Sequence, residues 1–293
     1  MKKKIRFLLW TLPPSDASGG IIVMYKLAEL LAIRGYETYT SSPPKPGSLA
    51  IYAGDYLASN FDMENTMVIY PEIVIGNPFN AIHVTRWILY TPGKIGGDGV
   101  YGEHDLIYKY WEFFEIDSKF KIDGYLRCLD TKKEFFVNLN KKRNGVCYLV
   151  KKGSLLKKEL IYHPEESFCI DKYNNDEHLL NIFNENEIFI SYDSASYHSI
   201  QAALCGCISV VIPDENISKE EWMSKQQIFK YGVAYGLDDV QWARDTMKFV
   251  KSELQKIEDE CEDLVDKYIS KCKKTIKPKF RLSLICKDFF NFK

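Results

Sequence analysis

"IRFLLWTLPPSDASGGIIVMYKLAELLAIRGYETYT", residues 5–40, decides how the chain folds. "IRFLLW" is a short apolar run, the pattern of a strand buried on both faces of a parallel sheet. "TLPPSDASGG" interrupts it with two prolines and two glycines. Val23, Leu27, Leu30 and Leu31 then recur at helical spacing, and Gly35 closes that helix before "ETYT" starts a second strand. Strand, helix, strand is a βαβ unit, which implies a parallel sheet with ligands near the carboxyl ends of its strands.

The same alternation returns downstream. Strands are expected at 66–70 (TMVIY) and 85–90 (TRWILY), followed by the glycine-dense loop "TPGKIGGDGVYGEHD". Long glycine-rich loops inside a domain are uncommon unless functional. Residues 118–143 read as short strands and charged turns ending in "NLNKKRNG", a boundary. "VCYLVKKG" (146–153) then opens a second α/β region, with a helix in "DEHLLNIFNEN" and strands in "EIFISY" and "CISVVIP". From residue 240, apolar residues from Met247 to Tyr268 step by three and four, as in one long amphipathic helix. The expected division is 1–143, 144–270 and a basic, aromatic tail at 271–293. Two α/β domains leave a cleft, a favoured small-molecule site.

Bulk properties bound the function. At 293 residues, 46% apolar and 27% charged, the chain can bury a large core. A formal net charge of -1 argues against a nucleic-acid partner. Eight cysteines without a CxxC pair give no zinc-type spacing, and the simplest setting is a reducing cytoplasm. The first apolar run is too short for a signal core or a membrane span.

Several residues could carry chemistry. Gly19 and Gly20, between strand and helix, let backbone approach a ligand or merely make a tight turn. Lys151 and Lys152 sit where a strand ends and could reach phosphate as point charges; the bland alternative is solvated surface. In "YDSASYHSIQAALCGCISVVIP" (192–213), Ser194, Ala195, Ser196 and Tyr197 fall at an expected helix start, whose amides attract anions. Gln201 lies further along that helix, a polar residue among apolar ones.

This last segment resembles the donor-site motif of GT-B glycosyltransferases of the family 4 kind, in which two Glu residues separated by seven others precede a small-residue, CG-containing helix end and a PVV strand. Asp193 falls at the first Glu position and Gln201 at the second, followed by "AALCG" and "ISVVIP". "SGGIIVMYKLAELLAIRGYETY" is similar to the family's glycine-rich first loop and helix, and Lys151 or Lys152 to its phosphate-binding basic residue. "PEIVIGNPFNAIHVTRWILYTPGKIGG" resembles polysaccharide glycosyltransferases with an RW-L--PG--GG pattern. The resemblance implies two Rossmann-type parallel-sheet domains facing a cleft, a C-terminal helix crossing back, and a nucleotide-sugar donor in the second domain. It places Lys151, Lys152 and residues 194–197 on phosphate, Gln201 on ribose and Asp193 near the sugar. Asp and Gln stand where the family has two Glu, so the resemblance leaves retaining and inverting stereochemistry both open.

For an acid or base in the first domain, Glu72 and Asp98 are the preferred candidates, ahead of His83, Glu103 and His104. No metal and no cofactor are expected, because basic side chains and amides can neutralise a leaving diphosphate. The tail is read as packing on the first domain, the other reading being peripheral contact with an anionic membrane. The expected function is sugar transfer from a nucleotide-diphosphate donor to a hydroxyl of a glycan or glycolipid. The alternative is a non-catalytic glycan- or nucleotide-sugar-binding protein of the same fold.

Overall fold

The structure is a computed structural model that describes residues 5–15, 18–54, 61–154, 158–173, 175–225 and 227–276. The chain forms two compact units. The first takes the chain up to Arg127 except Ser15–Gly19, together with the chain from Leu264 onward, and the second takes Ser15–Gly19 and Cys128–Asp263.

The first unit is built on one seven-stranded sheet. Its strands are β1 (Arg6–Leu9), β2 (Glu37–Thr40), β3 (Ile51–Tyr52), β4 (Thr66–Pro71), β5 (His83–Ile88), β6 (Leu106–Lys109) and β7 (Gly124–Tyr125). They lie in the order β3-β2-β1-β4-β5-β6-β7, and every pair is parallel. Phe7, Leu8, Leu9 and Met67 to Tyr70 are fully buried, as the continuous apolar runs require of strands covered on both faces. The helix read between the first two strands is α1 (Gly19–Ile33), and Gly35 leaves it with φ 75°. The connections from β4 to β5, β5 to β6 and β6 to β7 contain no α-helix. They cross over as loops, which is unusual for parallel strands.

The second unit holds a five-stranded sheet of β8 (Val146–Leu149), β9 (Phe168–Cys169), β10 (Ile188–Ser191), β11 (Ile208–Val211) and β12 (Val233–Tyr235). Its order is β12-β11-β10-β8-β9, again wholly parallel. Helices α2 (Asp176–Glu185), α3 (His198–Leu204), α4 (Lys219–Lys225) and α5 (Val240–Thr246) accompany it. The two sheets are those of a Rossmann-type, GT-B-like α/β architecture.

The long helix expected from the apolar repeat Met247–Tyr268 is present but begins at Val250. A 3-10 turn at Met247–Phe249 separates α5 from α6 (Val250–Thr275). The cause is Thr246, whose buried hydroxyl donates to the Trp242 carbonyl at 2.6 Å and accepts the Gly232 amide at 3.0 Å. A side chain bonded back to the carbonyl four residues earlier bends a helix. Asp239, at the N-cap position of α5, makes no side-chain capping bond; its carboxylate accepts the Tyr235 amide and pairs with Lys219 at 2.7 Å.

From Leu264 onward α6 belongs to the first unit. There the fully buried Tyr268 donates to Thr85 Oγ1 at 3.0 Å and packs edge-on against Tyr108, with Phe7 near. The tail beyond Ile276, to which packing on the first domain was assigned, lies outside the described residues.

Candidate functional site

In an open parallel sheet, ligands bind beyond the carboxyl ends of the strands where the strand order reverses. In the second sheet that place lies between β8 and β10. The chain leaves β8 toward β9 on one side and returns on the other through β10 to β11 and β12. The loop leaving β8 carries Lys151 and Gly153, and the loop leaving β10 carries Asp193 to Tyr197.

The two loops touch. A Cβ placed on Gly153 would lie 2.6 Å from Tyr192 Cβ and 2.7 Å from its carbonyl oxygen, so only glycine fits there. Lys151 adopts φ 33°, a left-handed backbone that a side chain disfavours. Asp171 holds it there: one carboxylate oxygen accepts the Val150 amide at 2.8 Å, the other the Lys151 amide at 3.3 Å. The Lys151 ammonium stands 3.0 Å from His198 Nε2, and His198 Nδ1 stands 2.6 Å from Gln201 Oε1. The side chain of Lys152 lies outside the described residues.

The segment from Asp193 to Tyr197 is a turn, and α3 begins only at His198. Asp193, nearly buried, turns its carboxylate onto the Ala195 amide at 3.1 Å, and its carbonyl accepts the Ser196 amide at 3.3 Å. These bonds move the helix start past the serines and commit two of the amides read as an anion cradle. Ser194 Oγ donates to Asp214 at 2.5 Å while its carbonyl accepts Trp222 Nε1 at 2.8 Å. The Tyr197 hydroxyl donates to the Thr131 carbonyl at 2.6 Å, and burial raises its pKa. Gln201 is buried, with its oxygen on His198 and not on open solvent.

At the first sheet the order reverses between β1 and β4. Glu72 follows β4 directly. It is 2% exposed, and its carboxylate accepts the Leu89 amide at 2.9 Å. Burial pushes this carboxyl above the usual carboxylate range, against the pull of backbone amides at Leu89, Glu72 itself and Tyr90. The glycine-rich loop closes over this exit: a Cβ on Gly97 would sit 2.1 Å from the Glu72 carbonyl oxygen. Asp98 is exposed and folds its carboxylate onto the Val100 amide at 3.0 Å. Gly19 and Gly20 open α1, and a Cβ on Gly19 would meet nothing within 4 Å.

Beneath the loop, Arg86 pairs with Asp105 at 2.8 Å, donates to the carbonyls of Val74 and Gly76, and lies over the rings of Tyr70 and Tyr101. A buried cation with a carboxylate and two carbonyls is satisfied. The RW of the polysaccharide-enzyme pattern is therefore occupied in holding the loop's base.

No family model matches the sequence, and no curated protein matches it. Among solved structures, glycosyltransferases show a partial likeness. WaaG, a glycosyltransferase involved in lipopolysaccharide biosynthesis, is 8% identical, with a TM-score of 0.49 over 91% of this chain and 99% of that one. A glycosyltransferase from Rickettsia africae ESF-5 is 12% identical, with a TM-score of 0.47 over 94% of this chain and 100% of that one. MurG from Acinetobacter baumannii is 12% identical, with a TM-score of 0.38 over 90% of this chain and 100% of that one. At these values the likeness carries no argument, and the two parallel sheets themselves carry the fold assignment.

Among the described residues no cluster of three His, Cys, Asp or Glu side chains is placed to hold a metal ion, and no helix is long and apolar enough to cross a membrane. Three residues that shape the second sheet's edge were not singled out from sequence: His198, Asp171 and Gly153. His198 carried a signal, since it lies three residues before Gln201 and so on the same helix face. Asp171 carried none, because its partners are backbone amides 20 and 21 residues away.

Proposed function

We propose that the chain is a glycosyltransferase that moves a sugar from a nucleotide-diphosphate donor to a hydroxyl of a glycan or glycolipid. The observation that supports it most is the place of Lys151. It is a cation at the reversal point of the second sheet, with its ammonium against the His198 ring and a backbone forced into position by Asp171. A cation held that way, beside the motif that resembles a donor site, suits an anionic ligand.

In this reading the second unit takes the donor. Lys151 meets the diphosphate, Asp193 stands near the transferred sugar, and residues 194–197 form the wall of the site. Gln201 acts through His198, because its oxygen is spent on that ring. The first unit takes the acceptor, with Glu72 bracing the loop after β5 and Asp98 on the exposed glycine-rich loop. Rate acceleration comes mainly from stabilising the leaving diphosphate, and Lys151 supplies charge that a divalent cation supplies in other sites. The second reading, a nucleotide-sugar-binding protein without turnover, draws on Gln201, which offers no charge where the family motif has an acid.

The test is binding and turnover across UDP-, GDP-, ADP- and dTDP-sugars. Lys151→Ala is expected to weaken donor binding about tenfold, the loss of one hydrogen bond from a charged donor. Unchanged affinity in that variant removes the donor-site assignment. Binding without release of nucleoside diphosphate on any acceptor leaves the binding protein.

A further inference from the structure

His198 belongs to no part of the donor-site motif, yet it stands at the centre of the cluster. Its Nε2 faces the Lys151 ammonium at 3.0 Å and its Nδ1 faces Gln201 Oε1 at 2.6 Å. An ammonium has only protons to offer and an amide oxygen only lone pairs. The ring therefore carries its proton on Nδ1, donates it to Gln201, and accepts from Lys151 on Nε2. It is neutral, and both its nitrogens are occupied.

The charged groups around it come from three other elements. Lys151 lies on the loop after β8, Asp193 on the loop after β10, and Asp176 at the start of α2, where Lys132 pairs with it at 2.5 Å. Burial, and then the Lys151 charge, hold the imidazole below its ordinary pKa against the hydrogen bond to Gln201 and the two carboxylates. His198 is half-buried and Lys151 beside it is exposed, so a ligand arriving from solvent meets Lys151 first and the ring next to it.

Resting on the reading of this edge as the donor site, we propose that His198 is a second cation for the donor's diphosphate, gaining one proton as the ligand binds. The diphosphate draws the Lys151 ammonium onto a phosphate oxygen, which frees His198 Nε2. That nitrogen takes a proton from solvent and donates the new N–H to the same diphosphate, while Nδ1–H stays on Gln201. No bond other than N–H forms, and the proton comes from water. Gln201 is thus a positioning residue that fixes which nitrogen is free, a task an amide performs and a carboxylate would perform differently by charging the ring beforehand. The substitution of Gln for the family's second acid then has a purpose: it keeps the ring neutral until an anion arrives. The sign follows. The free-state pKa is depressed and the bound-state pKa raised, so affinity increases as pH falls through the interval between them.

The experiment is calorimetric titration of the full chain with UDP-glucose, GDP-mannose, ADP-glucose and dTDP-glucose, whose phosphates do not titrate between pH 6 and 8. Each is run in two buffers of different ionisation enthalpy. For whichever sugar nucleotide binds, the wild type is expected to take up a proton at pH 7 and to bind about tenfold tighter at pH 6 than at pH 8. His198→Gln and His198→Asn are each expected to bind more weakly, with the uptake and the pH slope gone. The asparagine variant reaches Gln201 as the Nδ1 side of the ring does, so one replacement retains that contact. Binding without proton uptake, or uptake that survives in a folded variant, overturns the role of His198 and leaves the donor site standing. Failure of all four to bind the wild type overturns the donor site and this inference together.

Discussion

Replacing Gly153 with alanine is expected to weaken nucleotide-sugar binding by about ten- to a hundredfold and to lower stability by about 2 kcal/mol. The methyl would sit 2.6 Å from Tyr192 Cβ and 2.7 Å from the Tyr192 carbonyl, inside contact distance of a fully buried residue. Tyr192 cannot retreat, because its hydroxyl accepts the Tyr162 amide at 3.1 Å and lies 2.7 Å from His163 Nδ1. The loop after β8 must therefore move, carrying Lys151 away from His198 and from the Asp193 turn. Overpacking of this kind costs about 1–3 kcal/mol, and a misplaced cation loses its charge-assisted bond as well. Wild-type affinity in Gly153→Ala, measured by the same titrations, would show that the two loops do not need this contact to build the site.

The second large effect lies away from the site. Asn184→Ala is expected to destabilise the second unit by about 3 kcal/mol, in the upper range for a single substitution. Asn184 is fully buried and donates to the carbonyls of Val137 and Leu180 at 3.0 and 2.9 Å. Its oxygen accepts the Leu139 amide at 2.7 Å and Arg143 at 3.2 Å. Arg143 in turn donates to the carbonyls of Phe183 and Cys205, so one guanidinium satisfies the last turns of α2 and α3. Alanine strands several of these groups without water, and each buried unpartnered group costs about 1–3 kcal/mol. Asn184→Asp restores the acceptor half alone and is expected to fall between wild type and alanine. Denaturant titration measures both, and a change under 0.5 kcal/mol for alanine would contradict the role given to this hub.

Asn184 and Arg143 also show what sequence could and could not tell. "NLNKKRNG" reads as a charged linker, and by composition it is one. Only the folded chain shows that Arg143 is inserted between two helix ends. The βαβ start at residues 5–40, by contrast, was legible almost to the residue, because apolar runs, a proline-glycine break and a 3.6-residue period each demand one local structure. Legibility failed where a single side chain overrules a period. Thr246 delays the start of the long helix by bonding to Trp242, and Asp193 shifts a helix start by capturing the Ala195 amide. It failed again in the first unit, where crossovers that ordinarily hold helices are loops whose close packing depends on Gly97 against Glu72.

The candidate site was partly visible for the same reasons. Lys151 and Asp193 could be placed at strand ends and Gln201 within the following helix from pattern alone, and the fold brings Lys151 and Gln201 onto one histidine. What pattern could not give is the direction of hydrogen bonds. Ser194 is turned inward onto Asp214 and Trp222, the Ala195 and Ser196 amides are taken by Asp193, and the acid candidate Glu72 is sealed beneath the loop it braces.

A crystal structure of the chain soaked with a sugar nucleotide that binds it tests the central claim most directly. The account places the diphosphate at the carboxyl edge of the second sheet, with phosphate oxygens within hydrogen-bond distance of Lys151 Nζ and His198 Nε2. A diphosphate resting instead beside Glu72 and the glycine-rich loop, with the Lys151–His198 contact intact, would contradict it.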